Sequence, residues 1–274
     1  MYPWIIRIMA ENQKIKILFF GDMAGKPGRY AVRDFLADEK QNDIDFVIAN
    51  VENASHGFGL TEKNYNELSE YGIDCMTSGN HIWDKKDVFD YIDKADKLVR
   101  PINYPEAPGV GYRIFETAKG KIGVINALGR NFMPVMDSPR YGVEKAIAEI
   151  KKETNVIFVD FHAEATAEKL CFARYFSEMG ISAFVGTHTH VQTADEMLIN
   201  NRTAYISDAG FCGDAESIIG MDYESSIRHM LTMMPSRFEV ASSGKVCING
   251  VLITVDAETG IAEAIERINI KKEL

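Results

Sequence analysis

Short apolar runs alternate along the chain with longer amphipathic stretches. Residues 15–20 (IKILFF), 44–49 (IDFVIA), 73–78, 156–161, 181–185 and 203–207 carry the β-branched and aromatic runs of buried strands. Apolar positions at helical spacing predict helices over residues 29–40, 61–71, 84–93 and 165–179. Thr61 is placed to cap the second of these, with Asn64 where a full capping box would carry Glu or Gln. Residues 112–116 and 121–127 flank a Lys119-Gly120 turn and predict a hairpin. Residues 245–256 and 261–270 predict a closing antiparallel pair around the turn at 258–260. Strand–helix alternation of this kind predicts an α/β fold of parallel β-α-β units with antiparallel strands added later.

Residues 101–111, with Pro101, Pro105 and Pro108, read as a loop rather than a boundary. No Pro- or Ser-rich linker, internal repeat or low-complexity tract divides the chain, so one domain over residues 15–274 is expected, with residues 1–14 as an N-terminal extension.

Composition narrows the classes. The 274 residues are 46% hydrophobic and 26% charged, which excludes wholesale disorder and rod-like repeats. The net charge of −10 argues against a surface for extended nucleic acid, which needs clustered Lys and Arg. Cys75, Cys171, Cys212 and Cys247 are far apart and form no C-x-x-C pair, so they read as reduced thiols of a cytoplasmic protein. No apolar run approaches the roughly 20 residues of a membrane span, and no membrane association is expected.

The strand ends hold the chemistry. Gly21-Asp22 follows the first strand, Glu52-Asn53 the second and Gly79-Asn80-His81 the third. Asp160-Phe161-His162 ends the fourth, and Gly186-Thr187-His188-Thr189-His190 the fifth. In open α/β sheets the site lies at the carboxyl ends of the strands, so these side chains can converge. Each alone is explained by turn or cap chemistry. Seven carboxylate, carboxamide and imidazole groups at five strand ends are not, because bare they would be costly to bury together. Oxygen and imidazole donors without thiolate suit iron, manganese or zinc. Seven ligands exceed one ion and suit two sharing a carboxylate, the arrangement that activates water and clamps a phosphoryl group. His81, next to Asn80, is placed to act as general acid, with Asp84 three residues on to orient it or to cap a helix.

The order Asp22 … Glu52-Asn53 … Gly79-Asn80-His81 … His162 … His188-Thr189-His190 resembles the calcineurin-like metallophosphoesterase superfamily. Two departures stand out. Asp22-Met23-Ala24 lacks the usual D-x-H histidine, and Val51-Glu52-Asn53 replaces the usual GDxxD aspartate. Both match one subfamily, the YmdB-like bacterial phosphodiesterases. The strings GDMAGKPGR (21–29), ENASHGFGLTEK (52–63), GNHIWDKK (79–86), DFHAEATAEK (160–169) and VGTHTHVQTADE (185–196) fit the same group. The resemblance implies a single-domain metallophosphoesterase-type β-sandwich flanked by helices. It also implies hydrolysis of 2′,3′-cyclic nucleotides to 3′-nucleotides by a metal-activated hydroxide. Carried over by position, Asp22, Asn53 and His190 would hold one metal. Asn80, His162 and His188 would hold the other, with Glu52 bridging and His81 as proton donor. Iron is the metal implied, with manganese as the alternative.

Rival readings are a phosphomonoesterase or nucleotidase on the same fold, and a non-catalytic regulatory member. The second is disfavoured because every subfamily ligand is present. Arg29, Arg100 and Arg130 are candidate phosphate or base contacts, equally readable as structural arginines. The expected partner is a small phosphodiester, and a homo-oligomer is compatible with the sequence.

Overall fold

Residues 14–39, 43–235 and 237–274 are described in a computed structural model of the chain. The expected N-terminal extension lies outside these residues except for Lys14, which opens the first strand.

Two sheets pack face to face. In the first, β1 (Lys14–Phe20), β3 (Phe46–Asn50) and β4 (Cys75–Thr77) run parallel. The long β12 (Lys245–Asp256) joins β1 antiparallel and carries β13 (Ala262–Glu273) on its other side, as the closing pair predicts. Two short strands, β2 (Asp22–Met23) and β11 (Phe211–Asp214), complete this sheet. The second sheet has the order β5-β6-β7-β8-β10-β9. Here β6 (Gly120–Leu128), β7 (Ile157–His162), β8 (Ala183–Thr187) and β10 (Thr203–Ile206) are parallel. The edges β5 (Tyr112–Thr117) and β9 (Met197–Ile199) are antiparallel. The 112–127 hairpin is thus present.

Strand alternation sorts the apolar side chains into three layers. Along β1, Ile15, Ile17 and Phe19 face the second sheet, where they meet Val124, Phe158 and Val185. Leu18 and Phe20 face outward to α1 (Gly25–Glu39) and α2 (Glu62–Glu70). On the far side, Val159 and Phe161 of β7 meet α4 (Pro139–Ile150) and α5 (Thr166–Glu178). The result is the helix-flanked β-sandwich expected, with strands apolar on both faces.

Local detail departs from expectation in places. Thr61 caps α2 as its spacing predicts, its hydroxyl accepting from Asn64 N at 3.3 Å. The helix expected at 84–93 shrinks to α3 (Val88–Tyr91) and a 3₁₀ turn, Ile92–Lys94, and the Asp84 carboxylate pairs with His81. Two helices went unpredicted: α4, which opens on a Ser138 cap and Pro139, and α6 (Tyr223–Thr232), whose only fully buried residue is Ser226. Three of the four thiols are buried and Cys171 is exposed. No helix among the described residues is long and apolar enough to cross a membrane.

Candidate metal centre and cavity

The parallel strands of both sheets end at the same side, and their last residues or following loops bring Asp22, Glu52, Asn53, Asn80, His162, His188 and His190 together. Nε2 of the fully buried His162 lies 3.1 Å from Glu52 Oε1, 3.1 Å from Asn80 Oδ1 and 3.0 Å from His188 Nδ1. One ring nitrogen holds at most one hydrogen, so these converging lone pairs cannot satisfy each other. Beside them, His190 Nε2 lies 3.2 Å from Asn53 Nδ2 and 3.9 Å from Asp22 Oδ1. Asp22 Oδ1 and Asn53 Oδ1 are buried acceptors without a hydrogen bond. Two sets of ligand-type atoms are each tight enough for a metal ion: Glu52, His162 and His188, and Asp22, Glu52 and His190. Glu52 belongs to both. Orphaned buried oxygens and an all-oxygen-and-imidazole donor set fit divalent cations.

Each imidazole has its second nitrogen occupied, which orients it and frees the other for a ligand bond. His162 Nδ1 pairs with Thr187 Oγ1 at 3.0 Å, and that hydroxyl donates to Asp160 Oδ1 at 2.7 Å. His190 Nδ1 donates to the Ile219 carbonyl at 2.7 Å. His188 Nε2 faces Glu164 Oε2 at 3.3 Å, leaving Nδ1 toward the cluster. His188 and His190 have φ of 106° and 63°, a left-handed backbone that non-glycine residues adopt at a cost. That strain is held by Asp208, which accepts from Thr189 N and Oγ1 and pairs with the buried Lys169 at 2.9 Å. Asp22 Oδ2 accepts from His188 N at 3.0 Å and ties the same loop to β2.

Asp160 is a hub beneath the cluster. It accepts from Asn50 Nδ2 at 2.9 Å, Thr77 Oγ1 at 2.5 Å and Thr187 Oγ1, all fully buried and all on the inter-sheet faces of β3, β4 and β8. Asn50 Oδ1 in turn accepts from Glu52 N at 3.1 Å.

Charges here are strongly coupled. Burial resists ionisation of Glu52, but the His162 charge and hydrogen bond hold its carboxyl well below the usual range. Burial likewise resists a charge on His162, and Glu52 and Asp22 outweigh it, lifting the ring to about 9. Burial, then the charge of His162, pushes His188 down to about 3. Burial raises Asp22 against the pull of His162 and His190, and burial lifts Asp160 to about 7 despite its hydroxyl donors. The His162 ring is the local counter-charge to Glu52 and Asp22, a role that a divalent cation would fill more strongly.

His81 sits at the rim. Its Nδ1 pairs with Asp84 Oδ2 at 2.8 Å, its backbone N donates to Glu52 Oε2 at 3.0 Å, and its ring meets Phe58 edge-on at 4.9 Å. Glu52, Asn53, His81, His188 and His190 form the polar floor of a cavity of about 460 Å³. The candidate arginines lie elsewhere. Arg29 bonds the Ala54 carbonyl and Glu67, Arg100 gathers the carbonyls of Pro101, Ala107 and Pro108, and Arg130 borders a different cavity. Sequence reasoning missed Asn50, Thr77, Thr187 and Asp208. Their signal is a polar residue at or just past the end of an apolar strand, on the interior face.

A model of the YmdB-like protein family matches residues 18–268. A Bacillus subtilis protein named 2′,3′-cyclic-nucleotide 2′-phosphodiesterase is 46% identical over 94% of this chain and 98% of its own. A Mycoplasma pneumoniae structure described as a novel phosphatase superposes with a TM-score of 0.87 at 37% identity, over 95% of this chain and 94% of that one. A Thermus thermophilus structure, described as a hypothetical protein, gives 0.86 at 35% identity, over 94% and 100%.

Proposed function

The chain belongs to the YmdB-like family, and from that premise we propose that it is a metal-dependent phosphodiesterase converting 2′,3′-cyclic nucleotides to 3′-nucleotides. The observation that carries this reading is the sharing of Glu52 by two adjoining sets of metal-ligand atoms on the floor of an open cavity. Asp22, Asn53 and His190 would hold one ion, Asn80, His162 and His188 the other, and Glu52 both. Bound there, two divalent ions, iron or manganese, supply Lewis acidity that lowers the pKa of water and offsets charge building on phosphorus.

The protein's own groups do the rest. Thr187, Ile219 and Glu164 hold the three imidazoles so that one nitrogen of each faces the cavity floor. Asp84 occupies His81 Nδ1, so Nε2 is the nitrogen that hands its proton to the departing 2′ oxygen. Burial of Asp22, Glu52 and His162 keeps water from competing for these contacts.

Incubation of 2′,3′-cyclic AMP with iron- or manganese-reconstituted protein, separating 2′- from 3′-AMP, tests the proposal. The expected product is 3′-AMP. No turnover with two ions bound would overturn it and turn attention to phosphomonoesters.

A further inference from the structure

The cavity above the candidate metal ligands has two unlike halves. Against its polar floor stands a wall of Phe58, Ile218, Met221, Met230 and Phe238. Of the described residues that segment 218–238 contributes to the lining, Ser226 alone is polar. Ile218 is 43% and Met230 67% exposed, apolar surface left to water beside the carboxylate and imidazoles of the floor. Grouped exposed apolar side chains bordering a cavity mark a ligand surface.

The wall is fixed to the floor at both ends. Phe58 packs on His81, and the Ile219 carbonyl accepts a hydrogen bond from His190 Nδ1. Ile218 and Met221 exchange backbone hydrogen bonds at 2.8 and 2.9 Å, and Asp222 N reaches Glu239 O at 2.7 Å. Met221 closes the seam against Gly57, where a Cβ would come within 2.9 Å of its Cε. Glu164 and Thr189 complete the lining, and a molecule whose phosphate rests on the floor has the apolar wall within reach of the remainder of its body.

We infer that this wall is a base subsite, taking the flat face of a nucleobase whose phosphate lies on the floor. The inference rests on the proposed phosphodiesterase reading for the phosphate's position. The wall supplies area and polarisable sulfur but almost no hydrogen-bonding groups. Sugar or charge placed there would lose water without replacement, whereas a base offers a π-face that packs on Phe and Met. Such a surface reads size rather than base edges. Purines are therefore favoured over pyrimidines, by about ten-fold or less, the range of modest stacking differences.

Calorimetric titration of the metal-reconstituted protein with 3′-AMP and with ribose 3-phosphate measures the contribution of the base without needing turnover. The base is expected to tighten binding about ten-fold in the unmodified protein, as stacking supplies. In Met230→Asp, an exposed position, and independently in Phe238→Ser, the gain should shrink to about two-fold, the loss of most of that stacking. Equal affinity for the two ligands in the unmodified protein, or an undiminished gain in both variants, overturns the inference. So does a preference of 3′-AMP over 3′-CMP beyond about 10²-fold, which stacking alone does not give. Intact base dependence with no hydrolysis of 2′,3′-cyclic AMP would sink the reaction proposed above and leave the subsite standing.

Discussion

Gly79 lies just before Asn80, and its φ is outside the left-handed range, so an alanine there strains no backbone. Space decides instead. A Cβ at this position would lie 2.5 Å from His162 Nε2 and closer still to Glu52 Oε2. His162 is fully buried and pinned through Nδ1 to Thr187, so it cannot swing aside. To restore an ordinary contact the imidazole must retreat by roughly 1 Å, a displacement of the size that costs about 10²-fold in turnover. Glu52 is displaced with it, and Glu52 serves both ligand sets. Gly79→Ala should therefore weaken binding of at least one metal and slow hydrolysis of 2′,3′-cyclic AMP by about 10²-fold or more. Overpacking adds about 1–3 kcal/mol of destabilisation, too little to unfold a domain with this much buried apolar surface. Metal content after dialysis, measured beside kcat and thermal melting, reads all three effects. A folded variant with two metals and undiminished turnover would show that the cluster around His162 is not the working site.

Three further outcomes follow from the same geometry. His81→Ala should keep both metals and slow turnover by about 10²–10⁴, the worth of general acid catalysis; turnover equal to the parent removes His81 from the mechanism. Thr187→Val deletes the hydroxyl between Asp160 and His162, leaving a buried acceptor unpaired at about 1–3 kcal/mol and lowering metal affinity by about 10–100-fold. Thr187→Ser keeps the hydroxyl and should restore most of both, and a Val variant that binds metal normally would refute the role given to this bond. In the chelated protein, His162 keeps its proton to about pH 9, above its ordinary 6.5, so metal must displace that proton. Metal affinity should climb from pH 6.5 to about 9 and then flatten. The stability that the raised His162 proton lends the metal-free protein runs the other way: complete below pH 6.5, it fades as pH rises through 9. Affinity flat from pH 7 to 9 would rule this coupling out.

The parts legible in the sequence are those where one residue type carries a strong local constraint. Strands such as β1 and β7 are β-branched and aromatic on both faces because each is covered on both sides. The five strand ends stand out because carboxylates and imidazoles follow these runs directly. Elements of two to four residues, such as β2 and β11, are too short for periodicity and exist through pairing with each other and with β12. Helix α6 spaces Tyr223, Ile227, Met230 and Leu231 as a helical stripe, but Ser226 is its one buried residue, so the stripe marks no core and was passed over. The same feature hid the cavity wall, since Ile218, Met230 and Phe238 meet across a surface rather than along one element's face.

Asp160 explains how the candidate centre can combine side chains from two sheets. Phe158 on the same face of β7 is packed in the apolar layer between the sheets, and two residues on that layer gives way to a buried carboxylate. Such a group is costly unless satisfied. Here it is met by Asn50 and Thr77 from the first sheet and Thr187 from the second. A slip of either sheet would break bonds on one side and leave buried carboxyl oxygens without their donors, about 1–3 kcal/mol for each bond lost. The same bonds lead to Glu52 through Asn50 and to His162 through Thr187. The register of the sandwich and the spacing of the candidate metal ligands are therefore one quantity, set where the apolar core ends.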